Sequence, residues 1–275
     1  MLDKPHLIFN LDEKGLTTEH KPPHIVASSH DCPLAVTSGK GQTVTLIGCG
    51  SASGTAIPPF FVFPGKRMNE SLLAGKSPGA AATMSDSGWS NHAIFRQYLV
   101  EHFVKYAPGR DNEKCLIVLD GHKSHVSVGL TEWARDHGII LFILPAHTSH
   151  ILQPMDVSCF GPFEKMFNAE CHKLTRLTSA TVTRYNVCEL ACKVYCKSLS
   201  PENLHSGFRR TGIFPLNPDA IPKDKLLPAE VYVEDDHFTD SQATIEGGII
   251  VEPADHFFSE KEQSLKKTKT EKKKA

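Results

Sequence analysis

The chain has 275 residues, 40% hydrophobic and 22% charged, with a formal net charge of −1. That is ordinary for a globular protein of one large domain or two small ones with a full core. No stretch approaches the roughly 20 apolar residues of a membrane span, and MLDKPHLIFN lacks a signal-peptide layout, so no membrane partner is expected.

In chain order, LIFNLDE (7–13) gives a first strand over about residues 6–12, ending on Asp12 and Glu13. TVTLIGCG (43–50) and AIPPFFVF (56–63) are two more strands, and the SASG link makes them an antiparallel hairpin. Residues 64–90, rich in Gly, Ser, Ala and Pro, read as an irregular excursion. In SNHAIFRQYLVEHFVKYA (90–107), Ser90 or Asn91 can cap a helix, and Ile94, Phe95, Tyr98, Leu99, His102 and Phe103 recur at helical spacing. LIVLDGHKSH (116–125) begins as a strand buried on both faces and then meets Asp120. A helix near 126–137 and a strand at 139–144 follow, which implies a right-handed parallel crossover. After Pro145, AHTSHILQPMD leads into a helix whose first turn suits Pro154. Phe160, Phe163 and Phe167 then form a core stripe. Helices near 183–198 and 201–209 precede the turn-rich RTGIFPLNPDAIP. The expected fold is α/β: a mixed sheet with an antiparallel front hairpin and parallel strands behind, flanked by helices, as in ribonuclease-H-like domains.

Charge is unevenly spread. Residues 234–260 hold eight acids and no Lys or Arg, and residues 261–275 hold seven Lys against two Glu. Removing these from the totals of 30 basic and 31 acidic residues leaves 23 and 21 in residues 1–233, a slightly basic body. The expected organisation is a catalytic domain over 1–222, an acidic, largely disordered linker over 223–260 and a Lys-rich disordered tail over 261–275. The tail reads as a nuclear-import signal, a loose nucleic-acid contact or a solvated terminus. Eight scattered cysteines suit a reducing compartment, and Cys188, Cys192 and Cys196, on one apolar helix face, read as buried thiols.

Asp12 and Asp120, at the ends of two apolar strands, can meet at one edge of the sheet, where open α/β sheets build their sites. Close carboxylates repel, and a divalent cation between them relieves the repulsion; oxygen ligands of this kind suit Mg²⁺ or Mn²⁺. A third carboxylate would come from Asp156, whose helix-start position favours an anion, or from Glu164, two turns on and too distant. Each acid alone also reads as a turn or helix-start residue. His122, His125, His147 and His150 gather nearby, leaving open a mixed His/carboxylate metallohydrolase, although H-x-x-H twice is not a specific zinc pattern.

In order, LIFNLDE, LIVLDGHKSH and LPAHTSHILQPMD resemble the three acidic motifs of the DDE superfamily of transposase endonucleases. The nearest resemblance is to the pogo/Tigger/jerky branch, related to centromere protein B and more distantly to Tc1/mariner. The branch pattern L-D-N/G-x-x-S-H is matched by Leu119, Asp120, Gly121, Ser124 and His125. Its L-P-x-x-T-x-x-L-Q-P-x-D is matched by Leu144, Pro145, Thr148, Leu152, Gln153, Pro154 and Asp156. SGW (87–89) and GFRRTGIFPLNP (207–218) add to the likeness, which spans about residues 5–222.

The resemblance implies Asp12, Asp120 and Asp156 as catalytic metal ligands, two Mg²⁺ ions (or Mn²⁺), and in-line attack on a phosphodiester. It implies Gln153, His125 and Lys123 as supporting or DNA-facing groups, with Lys40, Lys66 and Arg67 as phosphate contacts. DNA as partner, homo-oligomers on DNA and a nuclear location belong to the same expectation. Family members carry helix-turn-helix domains ahead of this core. Here the first strand follows Met1 closely, so recognition of a defined transposon end is not expected from this sequence. The alternative is a domesticated or truncated nucleic-acid-binding protein without turnover.

Overall fold

β1 (Ile8–Thr17) starts from a short 3-10 turn at Pro5–Leu7 and is the element around which the sheet is built. β2 (Thr43–Ser51) pairs with it antiparallel from Phe9↔Ser51 to Thr17↔Thr43. β3 (Ala56–Pro64) returns antiparallel to β2, as the short link requires. The structure is a computed structural model and describes residues 3–18, 41–107, 113–121 and 127–222. The expected linker and tail lie outside these residues, as do Lys40, His122, Lys123 and His125. Among the described residues no helix is long and apolar enough to cross a membrane.

The supposed excursion over 64–90 contains a strand, β4 (Ala81–Ser85), parallel to β3. Its sequence, AATMS, is short and lacks an alternating apolar pattern, so only the pairing with Phe60–Pro64 makes it a strand. The next helix is α1 (His92–Gln97), capped by the Asn91 side chain on Ile94 N–H at 3.1 Å. It runs on through a π-helical turn at Tyr98–Phe103 into Val104–Tyr106. β5 (Cys115–Leu119), α2 (Val128–Asp136) and β6 (Ile139–Ile143) follow, and β5 and β6 are parallel as expected. The sheet order is β4-β3-β2-β1-β5-β6, which leaves β6 at an edge with Ile140, Phe142 and Ile143 exposed.

The helix expected after Pro154 is present. A short α3 (Ser149–Leu152) precedes it, and it opens with a π-helical turn at Met155–Cys159 and runs on as α4 (Phe160–Thr178). α5 (Val187–Ser198) and α6 (Pro201–Arg210) complete the described helices.

Strand alternation divides the core. Phe9, Leu11, Ile47, Ile117 and Leu119 pack with Phe95, Tyr98, Leu99, Phe103 and Leu130 from α1, its π turn and α2. Val44, Leu46, Phe61 and Phe63 pack on the other face with Phe160, Phe163 and Phe167 of α4 and with Leu190, Val194 and Tyr195 of α5. Cys188 and Cys192 are buried thiols as expected, but Cys196 is exposed: the apolar face is narrower than the cysteine spacing suggested.

The register of β2 on β3 shifts between Ile47 and Cys49, a bulge that takes backbone groups off the ladder. Tyr195 repairs it from α5: its hydroxyl donates to Ile57 O at 2.9 Å and accepts from Cys49 N–H at 3.3 Å. Tyr195→Phe keeps the ring and strands two buried backbone groups, so it should cost about 1–3 kcal/mol. Chemical denaturation measures this, and a variant within about 0.5 kcal/mol of the parent would dismiss the repair.

Candidate active site

Asp12 does not end its strand. β1 continues five residues past it because β2 pairs with it as far as Thr17, a long-range pairing that local pattern does not register. What stops beside Asp12 is β5. The parallel register Asn10↔Val118 places Asp12 level with Asp120, the first residue beyond Leu119. Asp12 is 7% exposed and Asp120 half-buried. Asp156, in the first turn of the π-helical segment, is exposed.

Close approach of that turn to the strand depends on a small residue. Gly48 is the β2 partner of Asp12, and a Cβ there would stand 2.9 Å from Met155 Cε and 3.2 Å from the Phe160 ring. Glycine lets Met155 and Phe160 lie flat on the sheet, which brings Asp156 to Asp12.

The acids act on one another. Burial pushes the Asp12 carboxyl well above the ordinary carboxylate range, and the neighbouring charges of Asp156 and then Asp120 push the same way. The Gln153 amide and the Glu13 N–H, 2.7 Å from Asp12 Oδ1, offset part of this. Asp156 is also raised, first by partial burial and further by Asp120, while its hydrogen bond with Asp12, Lys14 and His150 pull it back. A hydrogen bond between two carboxyls needs one proton, which the Asp12–Asp156 pair shares.

Gln153 is fully buried. Its Oε1 accepts from Asn10 Nδ2 at 3.4 Å, and its Nε2 has no other hydrogen-bond partner of good geometry, leaving it to favour the charged form of Asp12. Lys14, whose charge also acts on Asp156, pairs with Glu164 at 2.8 Å. An open cleft of about 540 Å³ is lined by His147, Ser149, His150 and Asp156. A second, of about 470 Å³, lies between His150, Ile151 and Val157 on one side and Arg210 and Ile221 on the other.

Of the expected site residues, Asp12, Asp120, Asp156 and Gln153 therefore come together. Lys66 and Arg67 lie on the segment after β3, both exposed, and form no ion pair among the described residues. Asn10 was missed, though its signal was legible: an amide set between Phe9 and Leu11 in an apolar strand.

Two or three carboxylates with a buried amide make a hard, oxygen-rich donor set under charge repulsion, which suits Mg²⁺ or Mn²⁺ and not a thiophilic metal. Among the described residues no three His, Cys, Asp or Glu side chains have metal-holding geometry as they stand. The fit is thus one of chemistry and charge.

A family model described as the DDE superfamily endonuclease matches residues 40–206, which include Asp120 and Asp156. The chain belongs to this DDE family. Among curated proteins it is similar to the MFS-type transporter clz9 of Cochliobolus lunatus, 32% identical over 219 residues, 78% of this chain and 24% of that protein. Among solved structures, the crystal structure of the Mos1 mariner paired end complex with Mn matches with a TM-score of 0.50 at 16% identity, over 78% of this chain and 54% of that one. The Mos1 strand transfer complex matches with a TM-score of 0.47 at 16% identity, over 77% and 53%. This DDE chain therefore spans about a quarter of its curated relative and about half of the solved chains. The paired-end likeness shows the fold, a ribonuclease-H-like mixed sheet with helices on both faces.

Proposed function

We propose that the chain is the metal-dependent DNA endonuclease and strand-transfer domain of a transposase or transposase-derived protein, with its catalytic domain over about residues 1–222. The observation that carries this is geometric: the register of β1 on β5 sets Asp12 level with Asp120, and Asn10 holds the Met155 N–H at 2.8 Å, one residue from Asp156. Asp12, Asp120 and Asp156 would hold divalent ions, Mg²⁺ or Mn²⁺, two in number. When bound, such ions activate an attacking water or 3′-hydroxyl and stabilise the leaving oxygen of an in-line displacement.

The chain's own residues prepare the site. Asp12 and Asp156 share one proton in the absence of a cation, and both would have to be ionised, that proton passing to solvent, to hold one. The buried Gln153 amide favours the charged form of Asp12, and Met155 and Phe160 are buried against Gly48, the strand partner of Asp12. His147, His150 and Arg210 line the clefts on the open side, where a phosphate backbone can lie. Lys123 and His125 would contact DNA, and Lys-rich residues 261–275 would add a salt-sensitive contact or nuclear import. Action in the nucleus, as a homo-oligomer on DNA, belongs to this reading.

The test is plasmid nicking in Mg²⁺ or Mn²⁺. The parent chain should nick, and Asp120→Ala and Asp156→Asn should not. Nicking equal to that of Asp120→Ala sinks the proposal. A second reading, nucleic-acid binding without turnover, is favoured by the absence of metal-holding geometry among the described acids. It predicts salt-sensitive DNA retention with no metal-dependent nicking.

A further inference from the structure

Asn10 is the third residue of β1, is 0% exposed, and uses its carboxamide on three sides. Nδ2 donates to the Val118 carbonyl of β5 at 2.9 Å and, more weakly, to Gln153 Oε1 at 3.4 Å. Oδ1 accepts the Met155 N–H at 2.8 Å. Each partner stands next to an acid: Val118 is two residues before Asp120, Met155 is one before Asp156, and Asn10 itself is two before Asp12. Residues two apart on a strand share a face, so Asn10 and Asp12 point to the same side of the sheet.

The Met155 bond has a further consequence. The first N–H groups of a helical segment lack intrahelical partners and are ordinarily met by a capping side chain. The residue at that position here is Pro154, which offers no such group, and no local side chain caps the turn. Asn10 supplies the acceptor from a strand far away in sequence. It is the right size and chemistry: two donor hydrogens meet two acceptors, and one oxygen meets the amide. Asp would lose the donors, Ser would fall short, and Leu would offer nothing.

We infer that Asn10 is the positioning residue of the acidic site, clamping β1, the end of β5 and the turn at Met155 together so that Asp12, Asp120 and Asp156 keep their mutual separation. This rests on reading those acids as a cation-holding site.

The experiment uses the full chain with Asn10→Leu, which keeps the branched shape and removes all three bonds, and Asn10→Ser, which leaves room for a water. Three quantities are read: Mn²⁺ affinity by calorimetric titration, amide hydrogen exchange resolved at Met155, and exchange across α5 as a reference for the stability of the core that both share. The expected result is a weakening of Mn²⁺ binding of about tenfold or more, with Met155 exchange faster by a similar factor and α5 unchanged. A uniform loss of protection that includes α5, or failure of both variants to fold, would make Asn10 a stability residue and overturn the inference. Folded variants with parental Mn²⁺ affinity and parental Met155 exchange overturn it as well. If the parent itself binds no Mn²⁺, the cation reading fails, while exchange at Met155 against α5 still decides whether Asn10 clamps the turn.

Discussion

Gly207→Ala should destabilise the protein and reduce DNA cleavage by more than the loss of stability explains. Gly207 lies in α6 where the helix crosses the turn carrying Asp156. A Cβ there would stand 2.5 Å from Ser158 Oγ and 2.6 Å from Pro154 O. Neither atom can retreat. Pro154 O is backbone, and Ser158 Oγ is held between Asn203 O at 2.6 Å and Pro154 O at 3.3 Å. Two effects oppose each other: alanine is favoured over glycine in a helix by about 0.5–1 kcal/mol, whereas overpacking against backbone costs typically about 1–3 kcal/mol. The clash wins, and it is relieved by moving α6 and the Met155–Cys159 turn apart, which shifts Asp156 relative to Asp12. The control is Gly129→Ala in α2, where the added Cβ meets nothing within 4 Å; there only the helix gain remains. Melting temperature and plasmid nicking are measured on both. A Gly207→Ala protein as stable and active as Gly129→Ala would mean that this contact does not hold the turn.

The same turn marks the limit of what local sequence reveals. LIVLD was legible as a buried strand with its acid just outside, because four apolar residues and Gly121 bound it on both sides. The Phe160, Phe163 and Phe167 stripe and the Asn91 cap were legible for a similar reason: both are set within a few residues. Asp12 looked like a strand end because its run of apolar residues stops there, yet β1 continues through Glu13, Lys14 and Gly15 on pairing with β2. β4 was missed because Ala81, Ala82 and Thr83 take their structure from β3. That Asp12 and Asp120 could meet was legible from their places after two apolar runs, and the motifs added Asp156. What ties the segments together was not legible, since Asn10 reaches partners 108 and 145 residues away.

Asp12→Asn should abolish cleavage and, without divalent cations, raise the melting temperature at neutral pH. A carboxyl buried beside Asp156 and Asp120 binds its proton more tightly when folded than when unfolded, where its pKa is about 3.9. Between that value and the raised folded value, the folded state holds more protons than the unfolded one, so stability falls as pH rises. Below about pH 4 both states are protonated and the penalty is absent. Above the folded pKa it is fully present. Asparagine removes the charge, keeps an oxygen for the Glu13 N–H and offers an amide hydrogen to Asp156 in place of the shared proton. In EDTA the variant should therefore match the parent near pH 4 and exceed it at pH 8 by on the order of 1 kcal/mol, or about 2–4 °C for a domain of this size. Mn²⁺ should reverse the order by stabilising the parent alone, because only the parent has the full set of charges to offset it. Thermal melts across pH, with and without Mn²⁺, read all three differences. An Asp12→Asn protein less stable than the parent at pH 8 in EDTA would show that the buried charge is already compensated within the protein, and that Asp12 is held for the fold and not for a cation.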